Sequence, residues 1–189
     1  EALAKPWVAG GLHHAINQEI RQNVINQKRL FQLKAKLEKK TSIFKEINNF
    51  FNIVKKEKIF THNDIVAFME FATDAEQKMR ACGWDSVPCH RDGNTSNLMV
   101  HEDKSVMLVD FDLSANCDPF EDVGAHLIEY FENEVDARTG FEEWNGSFDE
   151  GLFQRSMIYG FADDLRWGLI GSIMGAQRSF CFSSCLHQR

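Results

Sequence analysis

Residues 84–97 read WDSVPCHRDGNTSN, a run holding Pro, Gly, two Ser, Thr, two Asn and two Asp. That composition suits a structured loop and neither a helix nor a strand, so the chain has to be built around a polar loop. Two short β-like runs follow, Leu98 to His101 and Ser105 to Phe111, split by Glu102, Asp103 and Lys104, and they predict a hairpin. With the turn centred on Asp103 and Lys104, antiparallel pairing sets Asn97 opposite Asp110. Opposed side chains in a sheet have Cβ atoms about 4.5–5.5 Å apart, near enough for an amide oxygen and a carboxylate to share one hard cation. The apolar run Val106 to Val109 predicts a strand buried on both faces that delivers Asp110 and Asp112 where it stops. Carboxylates beside a core need a partner, and a cation supplies one. A simple loop cap is the other reading of Asp110.

Helices are expected on both sides of this segment. From Asn17 to about Lys40 the chain is polar and free of Pro and Gly, with a narrow apolar face of Ile20, Val24, Leu30, Leu33 and Leu37. Thr41 or Ser42 can cap a second helix to about Lys56, burying Phe44, Ile47, Phe50, Phe51 and Val54. A third begins near Thr61 to Asn63, carries Ile65, Val66, Phe68, Met69 and Ala72 inward and ends at Gly83. After the hairpin, helices are predicted over 120–133, 134–144 and 149–177, the last broken near Gly160 or Gly168. The expected organisation is a helical segment over 1–40 and a catalytic lobe over 41–189.

The chemistry concentrates in His90, Asp92 and Asn97. The spacing H-x-D-x-x-x-x-N ties a loop carboxylate to a ligand for a cation. Asp92 can then take a proton from a hydroxyl while a cation held by Asn97 and Asp110 neutralises phosphates. His90 is better placed to fix the loop by hydrogen bonding than to act as the base.

The segments PCHRDGNTSNLMV (88–100) and VMLVDFDLSANCDPFEDVGAHLIEY (106–130) resemble the catalytic and metal-binding segments of choline and ethanolamine kinases and of aminoglycoside phosphotransferases. The resemblance covers about residues 60–177. It implies an α+β, mostly helical fold: a protein-kinase-like C-terminal lobe with a short β-hairpin carrying the metal site. It also implies ATP and Mg2+ as cofactors, Asp92 as catalytic base assisted by His90, Asn97 and Asp110 as ligands of metal and nucleotide, and Asp122 as the brace of the catalytic loop. Asp112 stands where choline kinases have Glu and is a further candidate ligand. ADDLRWGLIGSIMGA (162–176) is similar to the choline kinase helix that walls the choline pocket; Trp167 matches one wall, and Ile170 stands where a second Trp is common. Asp163, Asp164, Glu129 and Tyr130 could complete a site for a cationic group. Trp167 as a core residue is the alternative. The family's nucleotide-covering loop and phosphate-binding lysine find no match, so the N-terminal lobe is expected to be absent.

Charge narrows the partners. A formal net charge of −7 over 189 residues argues against a nucleic-acid surface and favours a small neutral or cationic alcohol. The longest apolar stretch, Trp167 to Ala176, is about half of the roughly 20 residues a membrane span requires, and no secretory leader is read at the start. Five cysteines at 82, 89, 117, 181 and 185 form no paired framework and suit reduced thiols in the cytoplasm. Cys181, Cys185 and His187 lack a fourth metal ligand. Two other functions stay open: a kinase-shaped binding module without turnover, and a metallohydrolase using His90, Asp92, Asp110, Asp112 and His126.

Overall fold

Helix boundaries follow local chemistry. The computed structural model of the protein describes residues 16–186, with side chains described as far as Ala176. In order along the chain come α1 (Gln18–Lys34), α2 (Ile43–Lys56), α3 (Ile65–Cys82), β1 (Val87–Cys89), a 3-10 turn (Thr95–Asn97), β2 (Leu98–Val100), β3 (Val106–Leu108), β4 (Ala115–Cys117), α4 (Phe120–Tyr130), α5 (Glu134–Asn145) and α6 (Glu150–Leu186). Asn17, Ser42 and Asn133 cap α1, α2 and α5 by accepting the main-chain N–H of Ile20, Lys45 and Asp136, each satisfying a donor the helix leaves open. Gly83 closes α3 at φ 71°.

The elements form two compact units. The first joins the segment ending at Lys40 with Asp85–Gly160; the second joins Thr41–Trp84 with the segment beginning at Phe161. The Cys181, Cys185 and His187 side chains lie outside the described residues.

In the first unit, Ile25 of α1 packs with Val123, Leu127, Ala137, Phe141, Trp144 and Phe153 in the main core. Ile20 and Val24 pack on Val106 of β3, with Leu98 and Val100 beside them. The buried face of α1 is therefore Ile20, Val24, Ile25 and Lys28. Leu30 and Leu33, expected inward, face solvent. The helix turns away from the predicted stripe because Lys28 has partners inside, as described below. Helix α1 ends at Lys34, and Lys40 bridges Asn116 instead of extending it.

Two small antiparallel ladders carry the loop. β2 and β3 pair Leu98 with Leu108, Met99 with Met107 and Val100 with Val106. This register is one residue off the expected one, so Val109, not Asp110, stands opposite Asn97 and donates its N–H to the Asn97 carbonyl at 3.0 Å. The reason lies in the turn. Glu102, Asp103 and Lys104 form a three-residue loop between His101 and Ser105, with Lys104 in the left-handed region at φ 63°, so the turn is centred on Asp103, whereas the expectation centred it on Asp103 and Lys104 together. Met107 is exposed, so β3 is buried on one face only. The second ladder, β1 with β4, pairs Cys89 with Ala115 and Val87 with Cys117. It lies partly inside the stretch read as pure loop.

Helix α6 runs unbroken through Gly160 and Gly168, contrary to expectation. A Cβ on Gly124 of α4 would lie 2.4 Å from the Ser156 carbonyl oxygen and 2.6 Å from the Gly160 nitrogen. Glycine here permits close approach of two helices; it does not break one.

The second unit holds α2, α3 and the distal part of α6. Ile43, Phe44, Ile47 and Val54 of α2 and Met69, Ala72, Ala75 and Met79 of α3 are buried. Val66 and Phe68, expected inward, are exposed.

Candidate active site

The loop after β1 is shaped by its own hydrogen bonds. Asp92 Oδ1 accepts the N–H of Asn94 at 2.8 Å, and Asp92 Oδ2 accepts from Asn97 Nδ2 at 2.9 Å. Both carboxylate oxygens are thus oriented, and Asp92 and Asn97 are nearly buried. Arg91 sits in the left-handed region at φ 66°, a conformation that costs a non-glycine residue about 1–3 kcal/mol and persists only where the surroundings enforce it. The enforcement is visible: Arg91 donates its main-chain N–H to Asp122, its Nε to Glu121 Oε2 at 2.7 Å and a guanidinium N–H to the Leu113 carbonyl.

His90 is buried between the loop and the residue that follows β3. Its Nδ1 faces the Asp92 carbonyl oxygen at 3.2 Å and its Nε2 the Val109 carbonyl oxygen at 3.1 Å. Burial, and next the Lys28 cation, hold its pKa below the usual histidine value. It lies between two segments, and its neutral ring donates its single N–H to one of the two carbonyls.

Asp122, fully buried at the start of α4, collects the loop. Its Oδ1 accepts the Arg91 N–H at 2.8 Å, and its Oδ2 accepts the His90 N–H at 3.2 Å and the Gln32 side-chain N–H at 3.0 Å. Lys28 Nζ lies 3.5 Å from Asp122 Oδ1 and donates to the Asp92 carbonyl at 3.0 Å. Lys28 and Gln32 escaped the sequence reading. Their signal was faint: Lys28 stands one turn after Val24 on the inward face, and Gln32 one turn further. Helix α4 meets the loop twice more. A Cβ on Gly93 would lie 2.4 Å from the Ala125 carbonyl oxygen, and Glu129 Oε1 accepts the Thr95 N–H at 3.0 Å.

The residues expected to hold a cation offer hard oxygen donors. Asn97 turns its Nδ2 toward Asp92, which leaves its amide oxygen as the atom that can face a cation. Asp110 follows β3 in the left-handed region at φ 62° and is exposed, as is Asp112. The two carboxylates therefore stand at the surface, not beside the core. One amide oxygen and one or two carboxylates fit a hard divalent ion that keeps several waters. Among the described residues, no group of three or more His, Cys, Asp or Glu side chains is arranged to hold a metal. The metallohydrolase thus lacks its ligand set. His126, one of its proposed ligands, is enclosed by the rings of Tyr130, Phe131 and Trp144, and neither ring nitrogen has a hydrogen-bond partner. Burial, then the cations of Lys28 and Arg21, hold its pKa well below the usual value. Burial, then the Glu129 charge, raise that of Tyr130.

In the second unit, Asp163 pairs with Arg166, which also reaches Glu46 at 3.4 Å and lies over the Trp167 ring at 5.5 Å. Trp167 is 44% exposed and is not a core residue. Asp164 lines a separate cleft of about 330 Å³ with Phe68, Phe161, Ile65 and Leu169. Cys89 and Cys117 are buried free thiols whose pKa values are raised, Cys89 by its hydrogen bond with Cys117 and by burial, which does not suit a nucleophile.

The model of the phosphotransferase enzyme family matches residues 27–159. The chain belongs to that family. No curated protein matches the sequence. Among solved structures, the chain is similar to a choline/ethanolamine kinase family protein from Mesorhizobium loti, with TM-score 0.76 and 18% identity over 88% of this chain and 57% of the other. It is similar to choline kinase LicA from Streptococcus pneumoniae, with TM-score 0.72 and 16% identity over 87% and 58%. The aminoglycoside phosphotransferase APH(2'')-Ib, ADP-bound, matches with TM-score 0.50 and 14% identity over 82% and 60%. These likenesses establish the expected fold of the chain, mostly helical α+β of the protein-kinase-like kind. The chain spans less than two thirds of the length of each of these structures. No helix among the described residues is long and apolar enough to cross a membrane.

Proposed function

We propose that the protein is a kinase of small molecules that moves the γ-phosphoryl group of ATP onto the hydroxyl of a small cationic alcohol. One observation carries the reading: Asp92 is oriented by Asn94 and Asn97 on a loop whose main chain is pinned to Asp122. A carboxylate held in this way can accept the hydroxyl proton as the oxygen attacks phosphorus, and its fixed position supplies part of the rate by orientation. Asn97 and Asp110, with Asp112 as a further donor, would hold Mg2+, which supplies neutralisation of the phosphate charge when bound. The arrangement favours these residues because the Asn97 amide is turned by Asp92 so that its oxygen stays available. His90 fills the space between the Asp92 and Val109 carbonyls, donating its one N–H to either, and so spaces the base from the Asp110 segment.

Nucleotide use is supported by the relatives, one choline kinase structure having been solved with AMP and an aminoglycoside phosphotransferase with ADP. A cationic acceptor is supported by the choline and ethanolamine kinases among the structural neighbours. Arg166 engages Asp163 and the Trp167 face, and Asp164 lines the cleft with Phe68 and Phe161. Tyr130 is stacked on the buried His126. ATP supply and free thiols at Cys82, Cys89 and Cys117 support a cytoplasmic location.

The test is ADP release from ATP and Mg2+ with choline, ethanolamine and an aminoglycoside as acceptors. Acceptor-dependent turnover that falls by about 10²–10⁴-fold in Asp92→Asn, at an unchanged unfolding midpoint, supports the proposal. Loss of less than a few-fold, or ADP release independent of acceptor, refutes it.

A further inference from the structure

Glu129 was expected to face a substrate cation. Its geometry points elsewhere. Glu129 Oε1 accepts the main-chain N–H of Thr95 at 3.0 Å, and Thr95 is buried. Thr95 opens the 3-10 turn that ends in Asn97, and the first N–H groups of such a turn have no partner within it. The Asn94 side chain takes the next one, from Ser96, at 2.9 Å. Glu129 therefore completes the capping of the turn that presents Asn97, whose Nδ2 in turn orients Asp92. The partial positive charge at that end of the turn favours a carboxylate over a neutral acceptor only modestly.

Helix α4 explains how one residue can do this. Asp122, Ala125 and Glu129 stand on a single face, three and four residues apart. Asp122 takes the N–H groups of His90 and Arg91, the Ala125 carbonyl meets Gly93, and Glu129 takes the N–H of Thr95. One rigid helix face thus fixes the loop before the base, beside it and after it.

We infer that Glu129 is a positioning residue of the catalytic loop, acting through the Thr95 N–H on Asn97 and Asp92, and not a ligand of the substrate's cationic group. The inference rests on the proposed kinase reading for its kinetic arm alone. The experiment compares Glu129→Ala with Glu129→Gln, since glutamine keeps an oxygen acceptor and loses the charge. Two readouts are taken: amide hydrogen exchange of residues 94–97, and steady-state kinetics with choline and with its uncharged tert-butyl isostere as acceptors.

Exchange at Thr95 and Ser96 is expected to quicken at least tenfold in Glu129→Ala and to return toward the wild-type rate in Glu129→Gln. kcat is expected to fall by about 10²-fold in Glu129→Ala, the scale of an ångström of misplacement, equally for both acceptors and with KM for choline unchanged. Glu129→Gln recovers most of that loss. Unchanged exchange in Glu129→Ala overturns the inference whatever the activity. A rise in KM for choline alone in Glu129→Gln, with exchange untouched, overturns it as well and assigns the carboxylate to the substrate. Absence of turnover in the wild type defeats the kinase reading and leaves the exchange arm to decide the clamp.

Discussion

Removing Asp122 and Lys28 together is expected to harm the protein less than removing Asp122 alone. In the folded chain Asp122 is fully buried, and Lys28 has a side-chain exposure of 2%. Asp122→Ala strands two main-chain N–H groups, the Gln32 amide and the Lys28 ammonium. A buried charge left without its partner costs about 3–5 kcal/mol, and each stranded donor adds roughly 1–3 kcal/mol. The sum approaches the whole stability of a typical domain, about 5–15 kcal/mol. Lys28→Met is milder because Asp122, though it too is left as a buried charge without its cation at a cost of about 3–5 kcal/mol, keeps three N–H donors and strands none. In the double variant no buried ammonium is stranded, so Lys28→Met should return about 2–3 kcal/mol to the Asp122→Ala background, a coupling typical of residues in one network. Urea unfolding of the four proteins, read as midpoints at constant slope, should rank them wild type, Lys28→Met, double variant, Asp122→Ala. Additive losses, with the double variant least stable, would refute the assignment of Lys28 as the partner that neutralises Asp122.

Other expectations follow from single contacts. Gly93→Ala places a methyl group 2.4 Å from the Ala125 carbonyl oxygen; denaturation should show a loss of about 1–3 kcal/mol from overpacking, and phosphoryl transfer should fall with it. A loss below about 0.5 kcal/mol would mean that the loop does not pack on α4. His126 and His90 both have folded pKa values below the unfolded one, near 6.5. Below that value the unfolded chain binds more protons than the folded one, so stability holds at neutral pH and falls as pH drops through about 6.5, approaching about 1.4 kcal/mol per pH unit for each such histidine. Lys28 and Arg21 act on His126 in the same direction as burial. His126→Phe should flatten this acid limb by one proton in thermal midpoints taken between pH 5 and 7, and an unchanged slope would count against a neutral His126. Asp110→Asn should raise the Mg2+ concentration for half-maximal turnover about tenfold or more while leaving the unfolding midpoint in place; an unchanged Mg2+ requirement would remove Asp110 from the ligand set.

The helix caps at Ser42 and Gly83 were legible because a cap is a matter of a few adjacent residues. The loop was legible for the same reason, its spacing from Asp92 to Asn97 being closed by a hydrogen bond within a single turn of chain. The hairpin and its three turn residues were found but the register was not, since the turn is centred on Asp103 alone, and centring it on Asp103 and Lys104 shifts every pair by one. The β1–β4 ladder went unseen because each strand is three residues long and finds its partner only across the whole loop and hairpin.

Sequence alone determined the chemistry on offer: a carboxylate, an amide and two further acids at fixed spacing around a turn, flanked by helices, with a family resemblance that the comparison upheld. Tertiary structure decided which groups are buried and what holds them. Lys28 reads as one more solvated charge in a basic helix until Asp122, far along the chain, brings it inside. Glu129 reads as an acid free to meet a cation until Thr95 takes its oxygen. Periodicity reports the average polarity of a face, whereas the burial of a charge depends on a partner supplied by distant chain, and only the folded arrangement of α1, α4 and the loop supplies it.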